Sequence, residues 1–390
     1  MQKISLRKNQ ERRIRAGHPW VFSNEIWKLP EGLRQGEAVE VLDGRGHYLG
    51  NGFYNGHSLI SVRLFTRKHE ALDQAFFDQR LAAADALRRE LYPGSRHYRL
   101  CYGESDGLPG LIVDRYGDQL VVEIMSLGID LRRELVVKAL TDSLKPACIY
   151  ERSDSYSRKL EGLPPRIGAL SGELKSEAVI EENGLKFTVD LEHGQKTGWF
   201  FDQRDNRLAL RRHVRGKTVL DAYCHTGGFA LNAAAGGAKA VTGLDVSEQA
   251  VARARQNAAL NGLDGSCAFQ QADLMQALKH KVEAGELYDV VVLDPPAFAK
   301  NKKSVEPALA GYKEINLRAI KLLPPGGVLV SCSCSYHIED ELFRVMLVDA
   351  ARDAGRQLQL LEFRHQSQDH PVLLAAKETQ YLKCAVMRVV

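Results

Sequence analysis

No CxxC pair occurs among the seven cysteines of this 390-residue chain, which are Cys101, Cys148, Cys224, Cys267, Cys332, Cys334 and Cys384. A structural zinc site therefore has little support, and no other metal-ligand spacing is present. The count is odd and no export signal is visible, so the cysteines read as free thiols. No apolar run approaches the roughly 18 residues of a membrane span. The opening stretch MQKISLRKNQERRIRAGHPW lacks the apolar core of a signal peptide. The expectation is a soluble, cytoplasmic protein with no membrane partner. GxxxxGK[ST] is missing, which argues against a nucleoside triphosphatase, and GxGxxG is missing, which argues against an ordinary nicotinamide site. There are no internal repeats and no low-complexity tract. Net charge is low, at +4. All of it falls in residues 1–75, which hold 12 Lys/Arg against 8 Asp/Glu, while the remainder is balanced.

What is present divides into three segments. Residues 1–75 show short strands (EAVEVLD, HYLGNGFYN, SLISVRLFT) separated by glycine turns, a small β-rich, barrel-like domain. Its first turn is basic, with Lys3, Arg7, Lys8, Arg12, Arg13 and Arg15 against Glu11 alone. Such a face suits a phosphate backbone, or is simply a solvated surface. Residues 76–190 begin with an amphipathic helix over 76–92 and continue as mixed strands and helix, an α+β pattern. Asp106 and Asp114 in this stretch read as structural. From 191 to 390 strands and helices alternate regularly, which predicts an α/β domain with a parallel sheet covered on both faces.

The chemistry of such a sheet lies at the carboxyl ends of its strands. Here those ends carry Asp221, Asp245, Asp273, Asp294 and the cysteines of VLVSCSCSYHI. A lone Asp after a strand is often only a helix cap, but five polar ends on one edge are harder to dismiss. DAYCHTGGFAL is a strand–turn–helix whose Gly227 and Gly228 allow a ligand close to the backbone. Asp245, 24 residues after Asp221, suits a carboxylate that accepts both hydroxyls of a ribose. LDPPAF is stiffened by two prolines, so Asp294 and Phe298 can face a planar base. Lys300, Lys302 and Lys303 follow and suit phosphates. Along the last strand, Cys332 continues the stripe of Val328 and Val330 and reads as a packed thiol. Cys334 lies past the apolar stretch, at the ligand edge, and reads as functional.

Together these motifs resemble the class I S-adenosylmethionine-dependent methyltransferases, and more closely the RlmI/RlmO-type 23S ribosomal RNA cytosine-C5 methyltransferases. LRKNQERRIRAGHPWVFSNEI resembles the opening of that family's PUA RNA-binding domain. GESDGLPGLIVDRYGD and IYERSD resemble its central domain. EHGQKTGWFFDQRDNR, CHTGGFA, LDPPAF, GYKEINLRAIKLL and SCS follow in the family's order. The resemblance implies a Rossmann-like domain with a seven-stranded mixed sheet whose last two strands form an antiparallel insertion. It implies S-adenosylmethionine as cofactor, held by Asp221, Thr226, Gly227, Gly228, Phe229, Asp294 and Pro295, with the ribose on Asp245 and the adenine near Asp273. Gln203 and Arg204 would border the entrance, with Thr197 a weaker candidate nearby. It implies Cys334 as a nucleophile toward carbon 6 of cytosine and Asp294 as the group that hydrogen-bonds the ring. RNA contacts fall to Arg7, Lys8, Arg12, Arg13, Lys196, Phe298, Lys300, Lys302 and Lys303. The partner implied is 23S ribosomal RNA or a large-subunit assembly particle. Two departures stand out. The DPPAF loop lacks the second cysteine of many RNA cytosine-C5 methyltransferases, and Cys224-His225 stands where the family often has Tyr before Thr-Gly-Gly. The rival readings are an RNA methyltransferase acting on an exocyclic amine or guanine nitrogen 7, which needs no thiol, and a non-catalytic ribosome-assembly factor.

Overall fold

The computed structural model describes residues 1–195, 197–299 and 301–390, without the side chain of Lys302. Lys196, Lys300 and the Lys302 side chain, named above for RNA contact, lie outside the described residues. The chain forms two compact units. One comprises Met1–Ile180, Val189–Phe201 and Gln368–Thr379, and the other Glu181–Thr188, Asp202–Ser367 and Gln380–Val390. Among the described residues, no helix is long and apolar enough to cross a membrane.

The first unit holds a six-stranded sheet in the spatial order Trp20–Phe22, Ile60–Thr66, Tyr48–Tyr54, Ala38–Leu42, Gln2–Leu6 and Ile26–Lys28. Ile4, Leu6, Val39, Val41 and Val62 fill its core, the alternation expected of strands with one buried face. A five-stranded sheet follows, with Gln119–Ile124 at its centre, flanked by Cys148–Ser153 and Leu111–Tyr116. The helix expected over 76–92 runs Gln74–Leu91, capped by Asp73, which accepts the Phe76 N–H. Asp106 and Asp114 are structural here, as their sequence setting suggested. Asp106 takes the fully buried Arg88 guanidinium at 2.6 and 2.8 Å. Asp114 takes Arg99 at 2.7 and 2.9 Å and accepts the Thr197 hydroxyl.

The second unit contains the alternating elements. Its strands are β1 (Thr218–Ala222), β2 (Ala240–Asp245), β3 (Cys267–Gln271), β4 (Val290–Leu293), β5 (Val328–Ser333), β6 (Leu358–Arg364) and β7 (Lys383–Val389). Its main helices are α1 (Arg204–Leu210), α2 (Gly228–Ala235), α3 (Glu248–Leu260), α4 (Leu274–Glu283), α5 (Val305–Lys321) and α6 (Asp340–Asp353). The sheet order is β3-β2-β1-β4-β5-β7-β6. Strands β1 to β5 are parallel. β7 inserts antiparallel between β5 and β6, so of the last two strands, which the resemblance implied would form the antiparallel insertion, only β7 runs against the others and β6 lies at the edge. The central strands β4 and β5 are buried at every residue, which explains their unbroken Val/Leu sequences. The order reverses between β1 and β4, so the carboxyl ends of β1, β2, β4 and β5 frame the crevice where such sheets bind ligands.

Candidate active site

The loop after β1 is built on unusual backbone. Tyr223 and His225 have φ of 73° and 48°, and Gly227 has 90°. Left-handed conformations at non-glycine residues cost energy and persist only where the surroundings enforce them. Here Tyr223 and Cys224 donate their N–H groups to the Leu244 carbonyl at 2.9 and 2.8 Å. His225 donates its N–H to Asp245 Oδ2 at 2.9 Å. The loop is thus pinned to β2 and delivers Gly227 and Gly228 to the start of α2. Gly228 has no room for a side chain, because a Cβ there would lie 2.7 Å from Arg207 Nε. Arg207 is itself buried and paired with Glu182 at 2.7 Å.

Asp221, one residue before the end of β1, is fully buried. Its Oδ2 accepts the Ala230 N–H at 2.8 Å, while its Oδ1 has no hydrogen-bond partner. Burial, with the charge of Asp294 and then of Asp245 adding to it, pushes its pKa up to about 8. Asp245 accepts one N–H on each oxygen, from His225 and from Ser247 at 2.9 Å each. An ionised carboxylate offers about four acceptor positions, so capacity remains on its half-buried face. Asp273 is exposed and caps α4, accepting the Gln276 N–H at 2.9 Å. Thr226 is half-buried, and its carbonyl accepts from Asn257 Nδ2 at 3.0 Å. Phe229 is buried, with the Arg207 guanidinium over its ring. Burial raises the Cys224 thiol far above the ordinary range, consistent with an inert loop thiol.

On the other side of the switch point, Asp294 follows β4 with Pro295 buried behind it. Gln203 is buried and donates Nε2 to Asp294 Oδ1 at 2.8 Å, and it also accepts from Asn206 Nδ2 at 2.8 Å. Arg204 is buried next to Glu182, at 3.7 Å. Phe298 packs its ring on Tyr312 of α5, with centroids 4.5 Å apart. Cys334 is half-buried, the first residue past β5. The turn that carries it is clamped from two sides. Ser335 Oγ accepts the Ala299 N–H at 3.1 Å and shares a hydrogen bond with the Tyr312 hydroxyl at 3.0 Å. One serine hydroxyl therefore ties the DPPAF loop to the SCS loop and both to α5. From β7, Lys383 Nζ donates to the Ser335 carbonyl at 2.8 Å.

Cys332 differs from its neighbour. It is fully buried and stands opposite Cys384 across the β5–β7 pair. The Cys384 side chain, then burial, push its thiol well above the ordinary range. It is a packed thiol, as the valine stripe suggested.

Residues 164–384 match the family model for S-adenosylmethionine-dependent methyltransferase, and residues 4–67 match that for a PUA-like domain. The chain belongs to the S-adenosylmethionine-dependent methyltransferases. It is 45% identical over 393 residues to a protein of Shewanella denitrificans named ribosomal RNA large subunit methyltransferase I, covering 99% of each chain. It is 46% identical to the protein of the same name from Aeromonas salmonicida, covering 99% of this chain and 98% of that one. A solved S-adenosylmethionine-dependent methyltransferase from Streptococcus mutans superposes with a TM-score of 0.84 at 21% identity, covering 100% of both chains, which supports the fold.

The cofactor of this methyltransferase is S-adenosylmethionine, and the residues present suit it. The orphaned Oδ1 of Asp221 is a buried acceptor that lacks a donor or cation. The two glycines leave a cradle without side chains, and Asp245 keeps acceptor capacity at the end of β2. Sequence reasoning missed Ser335, Tyr312, Arg207 and Lys383. Only Lys383 had a visible signal, a lysine inside the otherwise apolar strand KCAVM.

Elsewhere, the basic N-terminal turn divides. Lys8 and Arg12 are exposed, and so is Arg7, though its Nε donates to the Ile26 carbonyl at 3.1 Å and its guanidinium lies over the Trp27 ring. Arg13 is engaged, bonded to Glu25 at 2.9 and 3.0 Å and stacked over Phe22. Lys303 is exposed.

Proposed function

We propose that this protein methylates carbon 5 of a cytosine in 23S ribosomal RNA, as naked RNA or in a large-subunit assembly particle, in the cytoplasm. The relatives' name supports ribosomal RNA as substrate, and the thiol beside the DPPAF loop supports the cytosine carbon. Residues 1–75 act as a PUA-like RNA-binding domain, 76–190 as a central α+β domain and 191–390 as the methyltransferase domain. Arg7, Lys8 and Arg12 are the exposed candidates for the RNA backbone, with Lys303 following the DPPAF loop in sequence. Arg13 is a weaker candidate, given its pairing with Glu25.

Carbon 5 of cytosine is a poor nucleophile, so a direct attack on a methyl sulfonium is slow. A Cys334 thiolate adding to carbon 6 forms a sulfur–carbon bond and pushes the ring electrons toward carbon 5, converting the ring to an enamine. Asp294, held by Gln203, accepts from the amino group and, carrying a proton, donates a hydrogen bond to nitrogen 3, where negative charge develops. The cofactor supplies an electrophilic methyl group on a sulfonium. Carbon 5 takes up the methyl, its proton passes to water, the double bond re-forms, and the sulfur–carbon bond breaks to return the thiolate. Asp221, Gly227, Gly228 and Asp245 hold the cofactor. The target base is unstacked when attacked, since carbon 6 is out of reach in a stacked helix.

The observation that carries this reading is the Ala299–Ser335–Tyr312 connection, which joins the Asp294 loop to the Cys334 turn across adjacent strands. Mapping 5-methylcytosine in ribosomal RNA from cells with and without the protein tests it. One 23S cytosine should lose its methyl group without the protein. An unchanged 5-methylcytosine map, with an N-methylated base lost instead, would reject the cytosine-C5 assignment.

A further inference from the structure

Lys383 stands opposite Ser333, the residue before Cys334, and its Nζ donates to the carbonyl of Ser335, the residue after it. A second N–H goes to the Tyr381 carbonyl at 2.7 Å. The residue is 2% exposed. An ammonium carries three donors, and the third has no acceptor among the described residues. No carboxylate among them pairs with it. A buried charge held by carbonyl dipoles alone is costly unless a counter-charge completes it.

The charged groups around it are few. Asp340, at the start of α6, acts on it at a distance, with its Oδ2 engaged by His365 at 2.9 Å and Gln380 at 3.3 Å. Arg364 of β6 is turned to Glu362 and Asn206. Tyr312 of α5 is a phenol raised by burial, hence neutral. Among the described residues, the other group whose charge acts on it is Cys334.

We propose that Lys383 is a positioning residue whose buried ammonium is the counter-charge that holds Cys334 as a thiolate. This rests on the reading of Cys334 as the nucleophile. The thiol proton leaves to water, the sulfur keeps its electron pair, and the ammonium keeps its three protons throughout. When the adduct collapses, the sulfur regains the same counter-charge. Burial pulls Lys383 down to about 8, while the charges of Asp340 and Cys334 push back. The ammonium therefore exists below about pH 8 and is lost above it, so the ion pair spans neutral pH.

The test is the pH dependence of Cys334 alkylation by iodoacetamide in the full-length protein, read by peptide mass spectrometry, with buried Cys332 on the same segment as internal control. In the wild type the midpoint should fall below the ordinary thiol value of about 8.5. Lys383→Met should raise it by about one unit or more, roughly a tenfold loss of thiolate at neutral pH, and Lys383→Arg should restore most of it. A wild-type midpoint at or above the ordinary value overturns the proposal, even if Lys383→Met does not fold. So does a midpoint that Lys383→Met leaves unmoved. Methyl transfer by Cys334→Ala separates the two readings. An inactive Cys334→Ala with an unmoved midpoint in Lys383→Met rejects the role of Lys383 alone. An active Cys334→Ala rejects the nucleophile whatever the alkylation shows.

Discussion

Replacing Asp221 with Asn should make the cofactor-free protein more stable and the cofactor bind more weakly. Asp221 is fully buried, its Oδ1 lacks a partner, and its pKa is pushed up to about 8 from an ordinary 3.8. The folded chain therefore holds a proton that the unfolded chain has released at neutral pH. With the folded value raised, stability from this group is fully present below about pH 4 and is lost as pH rises toward 8. At pH 7 about three units of that window have been crossed, at about 1.4 kcal/mol each, so the carboxyl costs ~4 kcal/mol as an upper estimate. An amide is neutral at every pH and keeps an oxygen for the Ala230 N–H. Asp221→Asn should therefore gain up to that amount at pH 7, gain little at pH 4, and flatten the pH dependence between them. On the proposed role of Asp221 in holding the cofactor, the same substitution removes a charged acceptor for a cationic group, worth roughly 1.5–3 kcal/mol, or about 10- to 150-fold in affinity. Wild-type binding should release up to one proton near neutral pH, because a cation beside the carboxyl favours its ionised form. Thermal and denaturant unfolding from pH 4 to 8, with calorimetry of S-adenosylmethionine in buffers of different ionisation enthalpy, measures all three effects. An unchanged stability profile in Asp221→Asn, together with cofactor binding that releases no proton, would refute the reasoning.

Ser335→Ala should unfasten the DPPAF and SCS loops from each other. It leaves the Ala299 N–H and the Tyr312 hydroxyl without their shared partner, at a cost of about 1–3 kcal/mol. Denaturant unfolding should show that loss, and kcat should fall more than KM rises. Cys332→Ala should retain methyl transfer within a few-fold and lose about 1 kcal/mol for a small cavity in the core, whereas Cys334→Ala should abolish transfer. Parallel turnover and unfolding measurements on the two variants check this division.

The order of the alternating elements was legible because β4 and β5 are continuous apolar runs and the acidic strand ends punctuate them. The ends of β1, β2 and β4 were recognisable for the same reason. The clamp was not. Ser335, Tyr312 and Ala299 are unremarkable residues in three separate stretches, and only tertiary packing brings them to one hydroxyl. Asp273 caps α4 through one oxygen, so its place at a strand end has a structural reason beside the cofactor contact the resemblance implied. Arg13 likewise read as a surface charge, but Glu25 and Phe22 hold it in place. That Gln368–Thr379 clusters with the first unit although Ser367 and Gln380 belong to the second left no trace in composition or periodicity.

The central claim is that Cys334 forms a covalent bond to the target base. Incubating the wild-type protein with S-adenosylmethionine and ribosomal RNA containing 5-fluorocytosine tests this most directly, because fluorine cannot leave carbon 5 as a proton does. A denaturant-resistant protein–RNA adduct, attached through Cys334 by peptide mapping and missing in Cys334→Ala, is the predicted result. Methyl transfer to unmodified RNA by Cys334→Ala at near the wild-type rate, with no adduct in either protein, would contradict it.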